Sequence, residues 1–203
     1  MVYVSSGGSV YGIPRKLPIS EDHPTDPISV HGLSKLLVEK YLGIFHHLHG
    51  LEYQVARCSN PYGEWQNPDR GQGAVNTMLW LAIRGRPIHV WGDGTVVRDY
   101  VYAGDVADAL VRLADHPDRA GVYNVGSGQG ISINALIEQL FQVLGRRVPV
   151  VYEPARPFDV AENVLDISHI VQSLGWRPKV ALPDGLKRTA AWLQRLSGAE
   201  TRP

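Results

Sequence analysis

The sequence predicts an α/β fold in which strands alternate with helices and run parallel. Short apolar runs rich in β-branched residues alternate with longer segments of helical periodicity. Glycines and polar residues separate these segments, as expected for turns between layers. With 203 residues and 44% hydrophobic content, the chain is long enough to bury a core in one domain or two small lobes.

The predicted strands are apolar segments that each end at a turn or polar loop. The first is an apolar and aromatic run that starts at residue 1, and the second ends at residues 60–63 (NPYG), which are predicted to form a turn. The glycine cluster of residues 126–130 is predicted to be a loop. Strands are predicted over residues 1–5, 51–58, 87–91, 121–125 and 148–152.

The most regular helical pattern lies between Ser29 and His49. Six apolar residues recur there at steps of three and four: Val30, Leu33, Leu37, Tyr41, Ile44 and Leu48. This spacing predicts an amphipathic helix that ends at Gly50. His31 and Lys35, four residues apart, lie on one face of it.

The other helices are predicted from apolar spacing and from cap residues. Asp105 and Ser132 are predicted to be N-caps. These helices are predicted over residues 75–83, 105–113, 132–145, 167–174 and 183–196.

Composition excludes several kinds of partner. Twenty basic and twenty acidic residues cancel, so neither nucleic acid nor an anionic membrane is expected to bind. The single cysteine, Cys58, cannot form an internal disulfide and suits a reducing compartment. No signal-like segment and no run long enough to span a bilayer is found, so a cytoplasmic location is expected. No metal site is expected, because the histidines at 46, 47 and 49 suit a solvated helix end.

Two motifs near the start of the chain resemble a known active site. Residues 5–12 read SSGGSVYG, and residues 30–35 read VHGLSK. Their order and spacing resemble the Ser-rich strand end and the Tyr-x-x-x-Lys helix of the extended short-chain dehydrogenase/reductases, in particular the NAD-dependent epimerase/dehydratase family. His31 stands at the tyrosine position and Lys35 at the lysine position.

The resemblance extends over nearly the whole chain and implies its organisation. It implies the C-terminal part of a Rossmann-like parallel sheet plus a small α/β lobe that binds the nucleotide sugar. Residues 1–62 and 97–128 would be the remainder of the dinucleotide-binding domain. Residues 63–96 and 129–203 would form the nucleotide-sugar-binding lobe.

The same resemblance implies NAD as the cofactor. Family members place a glycine-rich turn after their first strand to receive the cofactor pyrophosphate. No such motif opens a helix anywhere in this sequence. By resemblance, the first four strands of the sheet are absent, so the expected partners are a complementing N-terminal half or a second copy of the chain.

In this family the tyrosine phenolate removes a proton from a sugar hydroxyl while hydride leaves the same carbon. Histidine as a residue type suits a general base, because the reference pKa of imidazole lies near neutrality. Its nitrogen, however, lies about 2 Å nearer the backbone, and about 1 Å of misplacement can cost about a hundredfold in rate. His31 is therefore either a working base or an inert or substrate-binding replacement, and the second interpretation is favoured.

The serines of the first motif are candidate catalytic hydroxyls. The family register puts the usual hydroxyl at Gly7, so Ser6 or Ser9 would have to substitute. Such serines also satisfy backbone groups where a strand becomes a loop. Related dehydratases carry an Asp-Glu pair after this hydroxyl, whereas Gly8 and Ser9 stand here, so epimerisation is favoured over dehydration.

The resemblance also assigns residues to the cofactor. Ser5, His31 and Lys35 would meet the nicotinamide end, and Cys58 and Ser59 would line it.

The remaining motifs would bind the substrate. Residues 57–63 resemble a family turn whose asparagine, Asn60, contacts the sugar nucleotide. Backbone amides at Ala74 and Val75 would receive the diphosphate at a helix start. Arg98 would clamp the same diphosphate, although a surface pair with Asp99 is the simpler alternative.

A late Arg-x-x-Asp segment completes the substrate motifs. In the family this arginine also meets phosphate and the aspartate meets the nucleotide ribose. Those positions are Arg156 and Asp159 here.

Two functions are therefore predicted. The first is NAD-dependent C4 epimerisation of a UDP-hexose or UDP-N-acetylhexosamine through a transient 4-keto sugar, in nucleotide-sugar metabolism and polysaccharide biosynthesis, impaired by the histidine at 31 and the missing half. The second is a truncated pseudoenzyme that keeps nucleotide-sugar-binding elements without turnover.

Overall fold

A computed structural model of the chain describes residues 1–71, 73–116, 120–156 and 159–200, with the side chains of residues 70, 199 and 200 excepted. Strands and helices alternate along it, as the sequence predicts. The strands are β1 (Val2–Ser6), β2 (Gln54–Cys58), β3 (Asn60–Tyr62), β4 (Ile88–Trp91), β5 (Val97–Tyr102), β6 (Gly121–Val125), β7 (Gly130–Ser132), β8 (Val150–Glu153) and β9 (Glu162–Asn163).

Six α-helices separate or follow these strands, and a short 3₁₀ turn, Pro68–Arg70, precedes the second of them. The helices are α1 (Val30–His49), α2 (Ala74–Ile83), α3 (Ala103–Ala114), α4 (Ile133–Leu144), α5 (Ser168–Leu174) and α6 (Leu182–Glu200).

The strands form three sheets. β1, β2 and β6 are parallel neighbours in that order, so β1 lies at an edge among the described strands. β5 pairs in parallel with β3 and β9 and antiparallel with β7, while β4 and β8 form a parallel pair. The predicted parallel arrangement is therefore confirmed for every pair except β5–β7.

Three buried clusters hold the elements together. The first joins α2, α4 and α6 to β4 and to the tyrosines of β3 and β5. The second joins β2 and β6 to α3, and it includes Ile170 and Trp176 from the α5 region. The third is small and packs the segment after β1 against Leu165. Thus α5, which the domain prediction gives to the second lobe, packs with the three-stranded sheet.

Helix α1 has the predicted ends, but the apolar face that was expected to be buried is exposed to solvent. Ser29 accepts a hydrogen bond from the Gly32 amide at its start, and Gly50 adopts a left-handed conformation at its end. The buried residues of α1 are Gly32, Glu39 and Leu42. The predicted apolar stripe is exposed instead, from 51% at Ile44 to 85% at Val30.

Two local predictions are wrong. The turn predicted at residues 60–63 is a short strand, β3, because Tyr62 is buried and residues 60–62 pair with β5. Asp105 does not cap α3, which starts after Tyr102. Asp105 lies buried in the first turn of α3, where its carboxylate accepts a hydrogen bond from the Val180 amide. Ser132, by contrast, is confirmed as the cap of α4.

Four elements escape prediction from the sequence: β5, β7, β9 and the 3₁₀ turn. The last three are too short to show periodicity, whereas β5, which carries Arg98, is interpreted only through its substrate motif. Among the described residues, no helix is both long and apolar enough to cross a membrane.

Candidate functional site

The end of β1 forms the floor of the site. The Ser5 hydroxyl is buried and donates to Glu39 on α1. The Gly7 amide donates to the Cys58 carbonyl at 2.7 Å. A Cβ at Gly7 would lie 2.6 Å from Leu165 Cδ1, so a residue with a side chain at the register position for the family hydroxyl would require Leu165 to move. Any hydroxyl at this strand end must come from a neighbouring residue.

The two candidate hydroxyls lie on either side of the glycine pair. Gly8 is flanked by Ser6 and by Asn60, since a Cβ there would lie 3.9 Å from Ser6 Oγ and 4.0 Å from Asn60 Oδ1. The Ser9 hydroxyl is buried and has no hydrogen-bond partner in the part of the chain that the structure describes. Both serines therefore lie where the substrate motifs converge.

A close backbone approach brings the start of α1 onto this strand end. A Cβ at Gly32 would lie 2.3 Å from the Ser9 carbonyl oxygen, so only glycine permits the contact. His31, the preceding residue, therefore lies beside Ser9. The His31 residue is exposed, and no hydrogen bond to its ring is found in the described parts of the chain.

Lys35 lies one turn further along α1 and reaches β1. Its ammonium donates to the Val4 carbonyl at 3.0 Å and lies 5.3 Å from the centre of the Tyr3 ring. Its charge also acts on Cys58. Burial raises the pKa of the Cys58 thiol to about 12, and the nearby Lys35 opposes this shift only in part.

A buried polar network, which sequence reasoning missed, fixes α1 in place. Glu39, one turn after Lys35, forms an ion pair with Arg57 of β2. Arg57 also donates to the Tyr11 hydroxyl at 3.0 Å, and that hydroxyl donates to Asn124 at 2.7 Å. Burial raises the pKa of Tyr11 to about 12 despite the adjacent guanidinium, so this phenol is a hydrogen-bonding group near neutral pH. The spacing of Glu39, four positions after Lys35 on the same helix face, was the sequence signal that could have pointed to this network.

The segment after β2 faces the same strand end. Cys58 and Ser59 are buried, and Ser59 Oγ donates to Asp99 at 3.3 Å. Asn60 donates to the Asp99 backbone carbonyl at 2.9 Å. The predicted pairing of Arg98 with Asp99 does not occur, because the Asp99 carboxylate faces these donors instead.

Arg98 and Asp159, which come from two separate substrate motifs, lie close together in the structure. Arg98 Nη1 donates to the carbonyls of Val97 and Val160, at 2.8 and 2.6 Å. Its Nη2 lies 3.9 Å from Asp159 Oδ1. Burial lowers the pKa of the Arg98 guanidinium, and Asp159 opposes that shift.

Arg156 lies on the same loop as Asp159, whose amide donates to the Arg156 carbonyl. The Arg156 guanidinium stacks 3.6 Å above the ring of Trp91, which is 44% exposed. Residues 157 and 158, between the two motif positions, lie outside the described residues.

The start of α2 offers uncapped amides. Gly73 precedes Ala74 and Val75 with a φ of 80°, and within the residues that the structure describes no side chain caps the first turn. A Cβ at Gly73 would lie 2.4 Å from Gln66 Oε1, an oxygen that is buried and has no partner among the described residues. Uncapped first-turn amides suit an anion.

Asn163 is a further site residue that the sequence did not reveal. It is 1% exposed and pairs with Arg98 in the β5–β9 register. Its Nδ2 donates to the Gly7 carbonyl at 3.2 Å, and its Oδ1 has no partner within the described ranges. β9 is only two residues long, so no pattern marked this position.

Comparison with known proteins agrees with this geometry. A family model described as the NAD dependent epimerase/dehydratase family matches residues 1–126. The chain belongs to this family, and the resemblance inferred from the motifs is confirmed.

Several of the similar proteins are nucleotide-sugar epimerases. A putative UDP-glucose 4-epimerase of Methanocaldococcus jannaschii is 37% identical over 194 residues, 96% of this chain and 63% of the relative. The UDP-glucose 4-epimerase of Thermotoga maritima, solved with UDP-glucose, is 37% identical with a TM-score of 0.93 over 97% of this chain and 63% of that one. The Thermus thermophilus UDP-glucose 4-epimerase, solved with NAD, is 32% identical with a TM-score of 0.87, over 95% of this chain and 63% of that one. The Rossmann-like fold class is confirmed, and the chain spans less than two thirds of each of these proteins.

Proposed function

We propose that this chain is the catalytic and substrate-binding part of a NAD-dependent UDP-sugar 4-epimerase, acting on a UDP-hexose or a UDP-N-acetylhexosamine. The observation that carries the proposal is the contact between Gly32 and Ser9, which brings the start of α1, with His31 and Lys35, against the segment that follows β1. Similarity to UDP-glucose 4-epimerases over nearly the whole chain supports it.

The proposed diphosphate site combines two kinds of donor. Arg98 and Arg156 supply guanidinium groups, which form strong charge-assisted hydrogen bonds with phosphate. Ala74 and Val75 supply amides at an uncapped helix start. To bind, phosphate has to compete with Asp159 for Arg98, and the long 3.9 Å separation of that pair leaves room for this exchange. Asp159 would then be available to a ribose hydroxyl, and Asn60 to the sugar nucleotide.

NAD, when bound, accepts a hydride from the sugar and returns it. The residues described here fit its nicotinamide end. Cys58 and Ser59 lie at the carboxyl end of β2, where such ligands bind in parallel sheets, and Lys35 reaches the adjacent strand β1 from helix α1. The Ser5 hydroxyl is held by Glu39, so Ser5 would contribute through its backbone. We propose that the pyrophosphate is held by a segment outside these 203 residues.

His31 is proposed to hold the proton of the reacting sugar hydroxyl in place of the family tyrosine. Its exposure leaves the ring free to turn toward Ser6 and Ser9, the proposed hydroxyl donors. The shorter reach of imidazole would make turnover slow.

The pseudoenzyme is the second candidate, and Gly7 favours it. The usual hydroxyl position has no hydroxyl, and the Leu165 side chain packs against it at a distance that a larger residue would disturb. A chain with this site would bind a nucleotide sugar without turnover.

The proposed partner is a complementing half that pairs with β1. Among the described strands β1 has a neighbour on one side only, and Val4 on it is 43% exposed. An open edge beside apolar side chains favours strand addition. The exposed stripe of α1 supports a second copy of the chain as an additional partner. We also propose that residues 1–62 and 97–128 belong to the dinucleotide-binding domain and residues 63–96 and 129–203 to the nucleotide-sugar-binding lobe. A cytoplasmic location is proposed as well, and the single, buried cysteine supports it.

The experiment that tests the proposal is titration of the purified chain with UDP-glucose by calorimetry. Saturable binding that is lost when Arg98 and Arg156 are both replaced supports it. Absence of binding by the parent chain contradicts it.

A further inference from the structure

Asp99 lies where several segments of the site meet, and it is completely buried. Its Oδ1 accepts hydrogen bonds from Ser127, at 2.8 Å from the amide and 2.6 Å from the hydroxyl. Oδ1 also accepts from the Ser59 hydroxyl at 3.3 Å. Its Oδ2 accepts from the amides of Gly128 and Leu165, at 3.2 and 3.3 Å. One carboxylate thus joins the segment after β2, the loop after β6 and the segment after β9.

Each of these segments carries a residue of the proposed site. Asn60, next to Ser59, is held by the Asp99 backbone carbonyl. Leu165 fills the space above Gly7 at the end of β1. Arg98, the proposed diphosphate ligand, is the residue before Asp99 on β5, so its side chain leaves the opposite face of the strand.

The loop after β6 is built for this carboxylate. A Cβ at Gly126 would lie 2.5 Å from Asp99 Oδ2, so a larger residue would push the loop away. Neutral donors surround the charge, and the described residues place no lysine or arginine within ion-pair distance of it. Burial raises the pKa of the Asp99 carboxyl, and the Ser127 hydrogen bonds oppose the shift. A buried carboxylate held by several neutral donors fixes the positions of all of them.

We propose that Asp99 is a positioning residue of the nucleotide-sugar site: it sets Ser59, Asn60 and Arg98 relative to the end of β1 without touching the substrate. This inference rests on the proposed function, because it assigns a role within that site.

The test compares Asp99→Asn with Asp105→Asn. Asp105 is also a buried carboxylate and accepts a backbone amide, from Val180, but its bonds lead to the α3 packing and not to the site. UDP binding is measured by calorimetry and unfolding by urea. Asp99→Asn is expected to weaken UDP binding by about tenfold, the effect of misplacing one charge-assisted contact. Asp105→Asn is expected to lower stability but to leave UDP binding within about twofold.

Two further readouts separate positioning from general stability. The Asn60 side-chain amide resonance should shift in Asp99→Asn and not in Asp105→Asn. Amide exchange at Ser127, Gly128 and Leu165 should slow when UDP binds to the parent chain. If Asp99→Asn does not fold, Ser127→Ala, which removes one donor, should weaken UDP binding by about twofold to threefold.

If Asp99→Asn binds UDP as tightly as the parent chain, the inference is overturned and the proposed function still stands. Where Asp99→Asn does not fold, parent-like UDP affinity of Ser127→Ala has the same meaning. A parent chain that does not bind UDP contradicts the proposed function instead. In that case the Asn60 resonance decides: an unchanged resonance in Asp99→Asn overturns the inference, and a shift specific to that variant supports it.

Discussion

Glu39 Oε2 lies 2.6 Å from Arg57 Nη2, and neither side chain is more than 6% exposed. This ion pair joins the middle of α1 to β2 directly behind the strand end that carries the serines. The Ser5 hydroxyl donates a hydrogen bond to Glu39, and the Arg57 guanidinium donates one to the Tyr11 phenol, so each charge has a further hydrogen-bond partner. The geometry of His31 and Lys35 therefore depends on a charge pair in the interior.

The first prediction concerns removal of one partner of this pair. Glu39→Gln leaves the Arg57 guanidinium buried without a counter-charge, which typically costs about 3–5 kcal/mol. Urea unfolding measures this loss. Glu138→Gln is the control, because Glu138 pairs with Arg147 on the surface, where both side chains are more than half exposed. Such exposed pairs contribute at most about 1 kcal/mol. Equal losses in the two variants would contradict the role assigned to Glu39.

The second prediction concerns Cys58, the only cysteine in the chain. Its pKa is raised to about 12 from 9.0, so the thiolate fraction near neutrality falls by about a thousandfold. Burial at 4% exposure also blocks access. A chromogenic disulfide reagent at pH 8 should therefore react very slowly with the folded chain and rapidly in urea. Rapid reaction of the folded chain would show that this strand end is open.

The third prediction separates the two arginines of the proposed clamp. Arg98→Ala should weaken UDP binding by about ten- to a hundredfold, because Arg98 is partly buried and its charge-assisted bonds are worth about 1.5–3 kcal/mol. Arg156→Ala should cost less, since Arg156 is exposed and stacked on Trp91. Arg147→Ala, a surface arginine paired with Glu138, should have no effect. Calorimetric titration with UDP checks all three, and parent-like affinity in Arg98→Ala would remove it from the site.

The structure also shows how far sequence reasoning reached. Most strand and helix segments could be predicted from local patterns. The order of the motifs that contain Ser6, His31 and Arg98 was enough to assign the chain to its family. Periodicity identified α1 but could not indicate its outer face, because that depends on which neighbours cover the helix. Asn163 and Asp99 act through contacts between distant segments and short strands, which leave no local pattern. The close packing at Gly7 depends on Leu165, more than 150 residues later.

The fourth prediction concerns the exposed stripe of α1. Leu37, at its centre, is 53% exposed and is flanked by Leu33 and Tyr41. Self-association through this face should weaken in Leu37→Lys, because a charge would be buried at the contact. Val111→Lys on α3, where Val111 is 60% exposed, is the control. Sedimentation over a concentration series measures the change. A parent chain that remains monomeric at high concentration would contradict association through either α1 or the β1 edge.

The proposed function to be tested is that this chain supplies the catalytic and substrate-binding part of a UDP-sugar 4-epimerase, with the cofactor pyrophosphate held by a segment outside these residues. The direct measurement is conversion of UDP-glucose to UDP-galactose after the chain is combined with the N-terminal segment of a relative such as the Thermotoga maritima enzyme. We predict slow, NAD-dependent conversion by the parent combination and conversion faster by about a hundredfold with His31→Tyr, which restores the reach of the base. A combination that binds both NAD and UDP-glucose but gives no conversion with either residue at position 31 would contradict the claim.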